Sequence, residues 1–118
     1  MRILIVDDDP SVAELLAEAV RSAGHEALVA LDGAEALRML ESTPFDGVFL
    51  DVVMPDMGGL VALARIRSRW PTLPVVIMSG HANEDLARQA LGLGATDVVR
   101  KPAILAGLAQ TLDRLRRP

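Results

Sequence analysis

Three carboxylates, Asp7, Asp8 and Asp9, follow directly on the apolar run Ile3–Val6. A fourth, Asp51, follows Val48–Leu50, Ser79 follows Val75–Met78, and Lys101 lies just past Val98–Val99 and Arg100. A carboxylate can act as a nucleophile or a ligand for a hard cation, while a hydroxyl and an ammonium stabilise oxygens on which negative charge develops. Together these groups suit phosphoryl transfer. Two unit charges about 4 Å apart repel by roughly 4 kcal/mol at an effective dielectric near 20. Asp7, Asp8 and Asp51, if brought together, would therefore partly protonate unless a cation held them. With no histidine or thiolate alongside, the donor set suits Mg²⁺ or Ca²⁺, and Mg²⁺ better, because Mg²⁺ is held by a few carboxylates plus waters and phosphate oxygens. Asp9 reads as a helix cap rather than a ligand.

Whether these groups meet depends on the elements between them. The apolar runs Ile3–Val6, Ala27–Leu31, Val48–Leu50, Val75–Met78 and Val98–Val99 are continuous, as expected of strands covered on both faces. Five amphipathic stretches alternate with them. The first carries Val12, Leu15, Leu16, Ala19, Val20 and Ala23 on a helical period, with Asp9 as cap, Pro10 in the first turn and Gly24 as stop. Asp32 to Glu35 resembles a capping box and opens a helix to about Glu41. Gly58-Gly59 precedes a helix over 60–69, ended by Trp70-Pro71 and Leu73-Pro74. A helix over 83–92 has a thin stripe of Leu86, Ala90 and Leu93 and is expected to be the least firmly docked. The last, over 103–116, carries Ile104, Leu105, Leu108, Leu112 and Leu115, with Arg114, Arg116 and Arg117 at its end. The pattern is (βα)5. It predicts an α/β fold, a doubly wound parallel sheet with helices on both faces, forming a single domain over 1–118 with no output domain in the chain. In such a sheet ligands bind beyond the carboxyl ends of the strands, where Asp7, Asp8, Asp51, Ser79 and Lys101 all fall.

Composition narrows the rest. The chain has 118 residues, is 51% hydrophobic and carries a net charge of −4. No apolar run nears the roughly 18 residues of a membrane span, and the N-terminus lacks a signal-peptide pattern. Cysteine is absent, which removes disulfides and thiolate chemistry. Phe45, Phe49 and Trp70 are the only aromatics, and the charge is acidic, so no direct nucleic-acid binding and no membrane association are expected. These readings predict a cytoplasmic protein. Arg65, Arg67 and Arg69 read as a solvated helix face.

Four segments, "VDDDP", "DGVFLDVVMPDMGG", "VVIMSGHA" and "ATDVVRKP", occur in order along the chain. In this register the sequence resembles the receiver domain of two-component response regulators. The resemblance implies the flavodoxin-like strand order 2-1-3-4-5, and Asp51 as phosphoacceptor from a phosphohistidine of a sensor histidine kinase or a histidine phosphotransfer domain. It implies Asp8 as a direct ligand of Mg²⁺ (with Mn²⁺ as substitute), Asp7 as a ligand through water, and the backbone carbonyl of Val53 as a further ligand. Lys101 would contact the phosphoryl group, Ser79 would supply the switch hydroxyl, Gly80 would leave the phosphoryl path open, and Lys101-Pro102 would be a cis bond. The output would be the face formed by the fourth helix, fifth strand and fifth helix, acting on a downstream target or an attached output domain. The domain would promote its own phosphorylation and dephosphorylation without being a turnover enzyme.

Several residues depart from that family's pattern. Val98 stands where the family has an aromatic switch, and Ala103 where phenylalanine is common. Val53 and His81 occupy the positions that tune dephosphorylation. Valine offers no side-chain hydrogen bond to a water, so a long-lived phosphoaspartate moderated by His81 is expected. Two other readings stand beside this one. Asp7-x-Asp9 after an apolar strand is also how haloacid-dehalogenase-type phosphatases begin, with Asp7 as nucleophile and Asp9 as general acid. A degenerate receiver would serve only as an interaction module.

Overall fold

The computed structural model describes residues 1–54, 57–80, 84–101 and 104–116. Five strands alternate with five helices: β1 Arg2–Val6, α1 Pro10–Ser22, β2 Glu26–Ala30, α2 Gly33–Ser42, β3 Gly47–Asp51, α3 Gly59–Arg69, β4 Val75–Ser79, α4 Glu84–Gly92, β5 Asp97–Arg100 and α5 Leu108–Arg116. The strands form one parallel sheet in the order β2-β1-β3-β4-β5, as the resemblance implied. β1 and β3 are neighbours, with Val6 opposite Leu50.

The continuous apolar runs serve two cores because alternate side chains of a strand point to opposite faces. Leu4, Val6, Val48, Leu50, Val75 and Ile77 pack with Ala36, Leu40, Leu63, Ile66 and Ala90 from α2, α3 and α4. Ile3, Ile5, Phe49, Val76 and Met78 pack on the other face with Leu16 and Val20 of α1 and Leu108, Leu112 and Leu115 of α5. Fully burying one such side chain stabilises the fold by about 1.5–3 kcal/mol, so both faces resist any slip in register.

The caps form as read. Asp9 Oδ1 accepts from the backbone N–H groups of Ser11 (3.0 Å) and Val12 (3.4 Å), and Pro10 opens α1. Asp32 Oδ1 accepts from Glu35 N–H at 2.7 Å.

Four expectations change. The buried stripe of α1 is Ala13, Leu16, Ala17 and Val20, while Leu15 is 54% exposed. Close approach of α1 to the sheet selects alanines at an i, i+4 spacing, so the larger residues misplace the face. α5 begins at Leu108 rather than near 103. Ile104 N–H to Lys101 O and Leu108 N–H to Leu105 O, both 3.4 Å, are three-residue turns, and Gly107 lowers helix propensity between them. Ile104 still reaches the core, but Leu105 is exposed. α4 docks through buried Ala90 with Leu86 partly buried, whereas Leu93 lies past its end and is exposed.

The fourth change concerns Arg67, which is not a solvated residue. Its guanidinium donates to Trp70 O (3.0 Å), Leu73 O (2.7 Å) and Gly94 O (2.8 and 3.0 Å). Gly94 has φ +102°, a conformation that glycine adopts without strain. One side chain thus ties the end of α3, the approach to β4 and the end of α4. Arg69 pairs with Glu41 and lies over the Trp70 ring at 4.9 Å.

Arg67→Ala leaves three carbonyls without this donor and is expected to cost about 1–3 kcal/mol in urea unfolding. Arg67→Lys should recover less than half of that loss, because an ammonium cannot reproduce the planar fork. Equal stability of Arg67→Ala and the parent chain would remove this role.

Candidate functional site

The acidic residues are delivered by strand ends. Asp7 follows β1, and its N–H still bonds Ala30 O at 3.1 Å, so its side chain is held at the sheet edge. Asp51 closes β3, and Val52 N–H bonds Met78 O at 3.1 Å immediately after it. Both carboxylates are turned the same way by local chemistry. Asp7 Oδ1 accepts from Asp9 N–H at 3.0 Å, and Asp51 Oδ1 accepts from Val53 N–H at 3.1 Å. Each is an Asx-type turn, in which an aspartate bonds the backbone two residues on. The two Oδ2 atoms then face one cation. Lys101 Nζ lies 2.9 Å from Asp51 Oδ2 and 2.8 Å from Asp7 Oδ2.

Asp7 is fully buried and Asp51 is 5% exposed, while Asp8 is exposed at the rim. One carboxylate oxygen from each of the three lies within 4.8 Å of the other two. Lys101 is thus shared between the two buried carboxylates, a hydrogen bond to Asp51 and an ion pair to Asp7. Three carboxylates and one ammonium leave a net charge of −2 in a confined space. The donor set fits a hard divalent cation in charge and ligand type.

Titration follows the same logic. Burial pushes the Asp51 carboxyl above its ordinary value; Lys101 and the Val53 N–H oppose this, and the Asp7 charge adds to it. Burial draws Lys101 down, but its contacts with Asp7 and Asp51 outweigh that and hold it above the ordinary lysine value.

The remaining predicted residues sit around this core. Ser79 ends β4 and is buried, one residue past Met78, the register partner of Asp51; Arg100, directly before Lys101, is the register partner of Ser79. Gly80 is half-buried beside it. Val53 is 49% exposed on the rim. Val98 lies on β5 opposite Ile77, and with Ser79, Ala87, Arg88 and Arg100 it lines a cavity of about 270 Å³. The space where a ring was expected is thus open. His81, Pro102 and Ala103 lie outside the described residues, and with them the expected rate-tuning histidine and the cis Lys101-Pro102 bond.

Asp9 is drawn away from this chemistry. Its Oδ1 accepts from the first turn of α1, as expected of a helix cap.

A family model for the response regulator receiver domain matches residues 3–113. This chain belongs to that family. Transcriptional regulatory protein PrrA of Mycobacterium leprae is 36% identical to the receiver over 116 residues, which is 98% of this chain and 50% of that protein. Transcriptional regulatory protein ZraR of Escherichia coli is 36% identical over 112 residues, 95% of this chain and 25% of that protein. The receiver therefore spans half or less of the length of these curated relatives. Among solved structures, the receiver domain of NtrX from Brucella abortus superimposes with a TM-score of 0.91 at 35% identity, covering 96% of each chain. The chemotaxis protein CheY4 of Vibrio cholerae does so with 0.88 at 29% identity, covering 97% of each. Among the described residues of the receiver, no helix is long and apolar enough to cross a membrane.

Sequence reasoning undervalued Gly59. A Cβ there would lie 2.4 Å from Asp51 O and 2.4 Å from Val52 Cα, and its N–H bonds Val52 O at 3.0 Å. The start of α3 is pressed against the backbone that carries Asp51. The Gly-Gly pair signalled a helix start, but the close approach depends on where β3 ends, which spacing alone does not reveal.

Two outcomes follow. Gly59→Ala must push backbone apart and is expected to destabilise the receiver by about 2 kcal/mol or more, read by urea unfolding, with Gly92→Ala, which meets open space, as the tolerated control. Asp51→Asn removes a carboxylate whose ionised form the fold disfavours. Without divalent cations its melting temperature should exceed that of the parent at pH 7. The gap should narrow as the pH falls toward 3.8, the ordinary carboxyl value, because the folded parent takes up its proton before the unfolded chain does. A lower melting temperature for Asp51→Asn at pH 7 would contradict the strain assigned to this site.

Proposed function

We propose that this receiver is a phosphorylation switch in which Asp51 takes a phosphoryl group from a phosphohistidine on a sensor histidine kinase or a histidine phosphotransfer domain. The observation that carries the reading is the convergence of Asp7, Asp8 and Asp51 with Lys101 at a net charge of −2. Asp7, Asp8, Asp51 and the Val53 carbonyl would hold Mg²⁺, with Mn²⁺ as substitute. When bound, the ion neutralises the carboxylates and the phosphoryl oxygens in one place.

The chain's own groups do the rest. An Asp51 carboxylate oxygen forms a bond to phosphorus while the phosphorus–nitrogen bond of the donor breaks. The electron pair leaves on the imidazole, which departs neutral when its other nitrogen carries a proton. Lys101, held protonated by its two carboxylates, exchanges one of them for a phosphoryl oxygen. The Ser79 hydroxyl donates to another. The aspartate's single charge becomes nearly two, with new acceptor oxygens. That change shifts populations of the α4, β5 and α5 face, which lacks a ring at Val98 and moves instead around the cavity beside Ser79. Residues 1–118 act as one receiver unit in the cytoplasm, signalling to a separate target or to an attached output domain. Turnover of a phosphorylated substrate is not part of this role.

Incubation with Mg²⁺ and acetyl phosphate is expected to add the mass of one phosphoryl group to the intact protein, and Asp51→Asn is expected to add none. Persistence of the added mass in Asp51→Asn would move the acceptor elsewhere. Lys101→Ala should split the two activities. Mg²⁺ binds more tightly because the cluster is more negative, while phosphorylation slows by roughly 100-fold through loss of a preorganised cation.

A further inference from the structure

We propose that the groove between α2 and α3 docks a partner's amphipathic helix whose apolar stripe is flanked by carboxylates. The groove has a volume of about 750 Å³, in the range of sites that bind ligands. Its apolar lining is Leu37 of α2, Leu60, Val61 and Ala64 of α3, and Leu93 beyond α4; Val61 and Leu93 are 45% and 43% exposed. Leu37 and Leu60 form the floor, where they pack against the core, while Val61 and Leu93 stand clear of it.

The form of the occupant follows from the walls. They are helices and present no free strand edge, so they cannot supply backbone hydrogen bonds to an extended chain. A helix, which satisfies its own backbone, suits such walls better than a strand does. Leu60 to Ser68, the span of α3 along the groove, is roughly 12 Å at 1.5 Å per residue. That accommodates two turns, with apolar contacts at i, i+3 or i+4, and i+7.

The charge of the occupant follows from the rim. Arg65 lines the groove and is exposed, with no ion pair among the described residues. Glu41 and Arg69 also line the groove, but they neutralise each other. The lining thus carries one uncompensated positive charge, Arg65, on a chain of net charge −4, and that charge favours a carboxylate on the partner. It disfavours a second copy of this chain, since a two-fold contact would set Arg65 near its own counterpart.

The test uses a synthetic peptide of about 15 residues, with leucine at i, i+3, i+4 and i+7 and glutamate flanking the stripe, titrated into the ¹⁵N-labelled receiver. Amide shifts are expected to map to α2, α3 and Leu93. Affinity is expected to fall at least tenfold for Val61→Glu and for Arg65→Glu, both exposed positions at which unchanged melting temperatures verify folding. A peptide with lysine flanks should bind at least tenfold more weakly. Equal binding of the two peptides, unchanged affinity in both variants, or shifts centred elsewhere would overturn the proposal. Two further results would also overturn it: sedimentation as a dimer that Val61→Glu dissolves, which assigns the groove to self-association, or Arg65-dependent binding to phosphatidylglycerol vesicles without peptide binding, which assigns it to a lipid surface.

Discussion

The contact between Lys101 and the two carboxylates of Asp7 and Asp51 is the constraint around which the sheet edge is organised. Each carboxylate uses one oxygen to bond the backbone two residues on, and this fixes the direction of the other oxygen. The free oxygens then converge on a single ammonium at 2.8 and 2.9 Å. One positive charge cannot balance three negative ones. The fold tolerates the remainder because Asp8 stays in water, where its charge is screened, and because Lys101 is itself partly exposed.

Such crowding persists only if the strands cannot slide apart to relieve it. Two cores prevent that. Alternate residues of β1, β3 and β4 are anchored on opposite faces, and moving a strand by one residue would exchange the two sets. Gly59 adds a third restraint by pressing α3 onto the backbone at Asp51 and Val52. Arg67 locks the distal ends of α3 and α4 through the carbonyls of Trp70, Leu73 and Gly94. Stability is therefore concentrated away from the acidic rim, and electrostatic strain is concentrated at it.

What the sequence disclosed follows from this division. Strands were legible because a segment buried on both faces must be apolar throughout, and the site was legible because the first polar residue after such a run marks a strand end. Asp7, Asp51 and Ser79 carry that mark, and Lys101 follows one residue after Arg100, which carries it on β5. Arg67 was not legible, since its three acceptors are carbonyls, which carry no signature in residue type. The buried face of α1 was misplaced because Ala13 and Ala17 pack closest while contributing least to an apolar pattern. The late start of α5 depends on turns through Gly107, where leucines on either side keep a helical spacing the backbone does not follow.

The consequence of valine at position 98 is a matter of geometry rather than pattern. Its side chain leaves a cavity of about 270 Å³ whose lining includes Ser79. Under the proposed chemistry, the groups that must respond to a phosphoryl on Asp51 are Ser79 and Lys101, at the ends of β4 and β5. Ser79 and its register partner Arg100 both line this cavity, and Arg100 is directly followed by Lys101. An aromatic side chain would couple the two by rotating between defined positions. Valine at position 98 has no ring to rotate in this way. Under that same proposal the coupling would run through the backbone around β4 and β5 and through α4, which meets the sheet through Ala90 and a partly buried Leu86. Arg67 pins the far end of α4 through Gly94 O, so under the proposed chemistry any shift of α4 would be a pivot about that end, with the volume beside Ser79 giving its other end room.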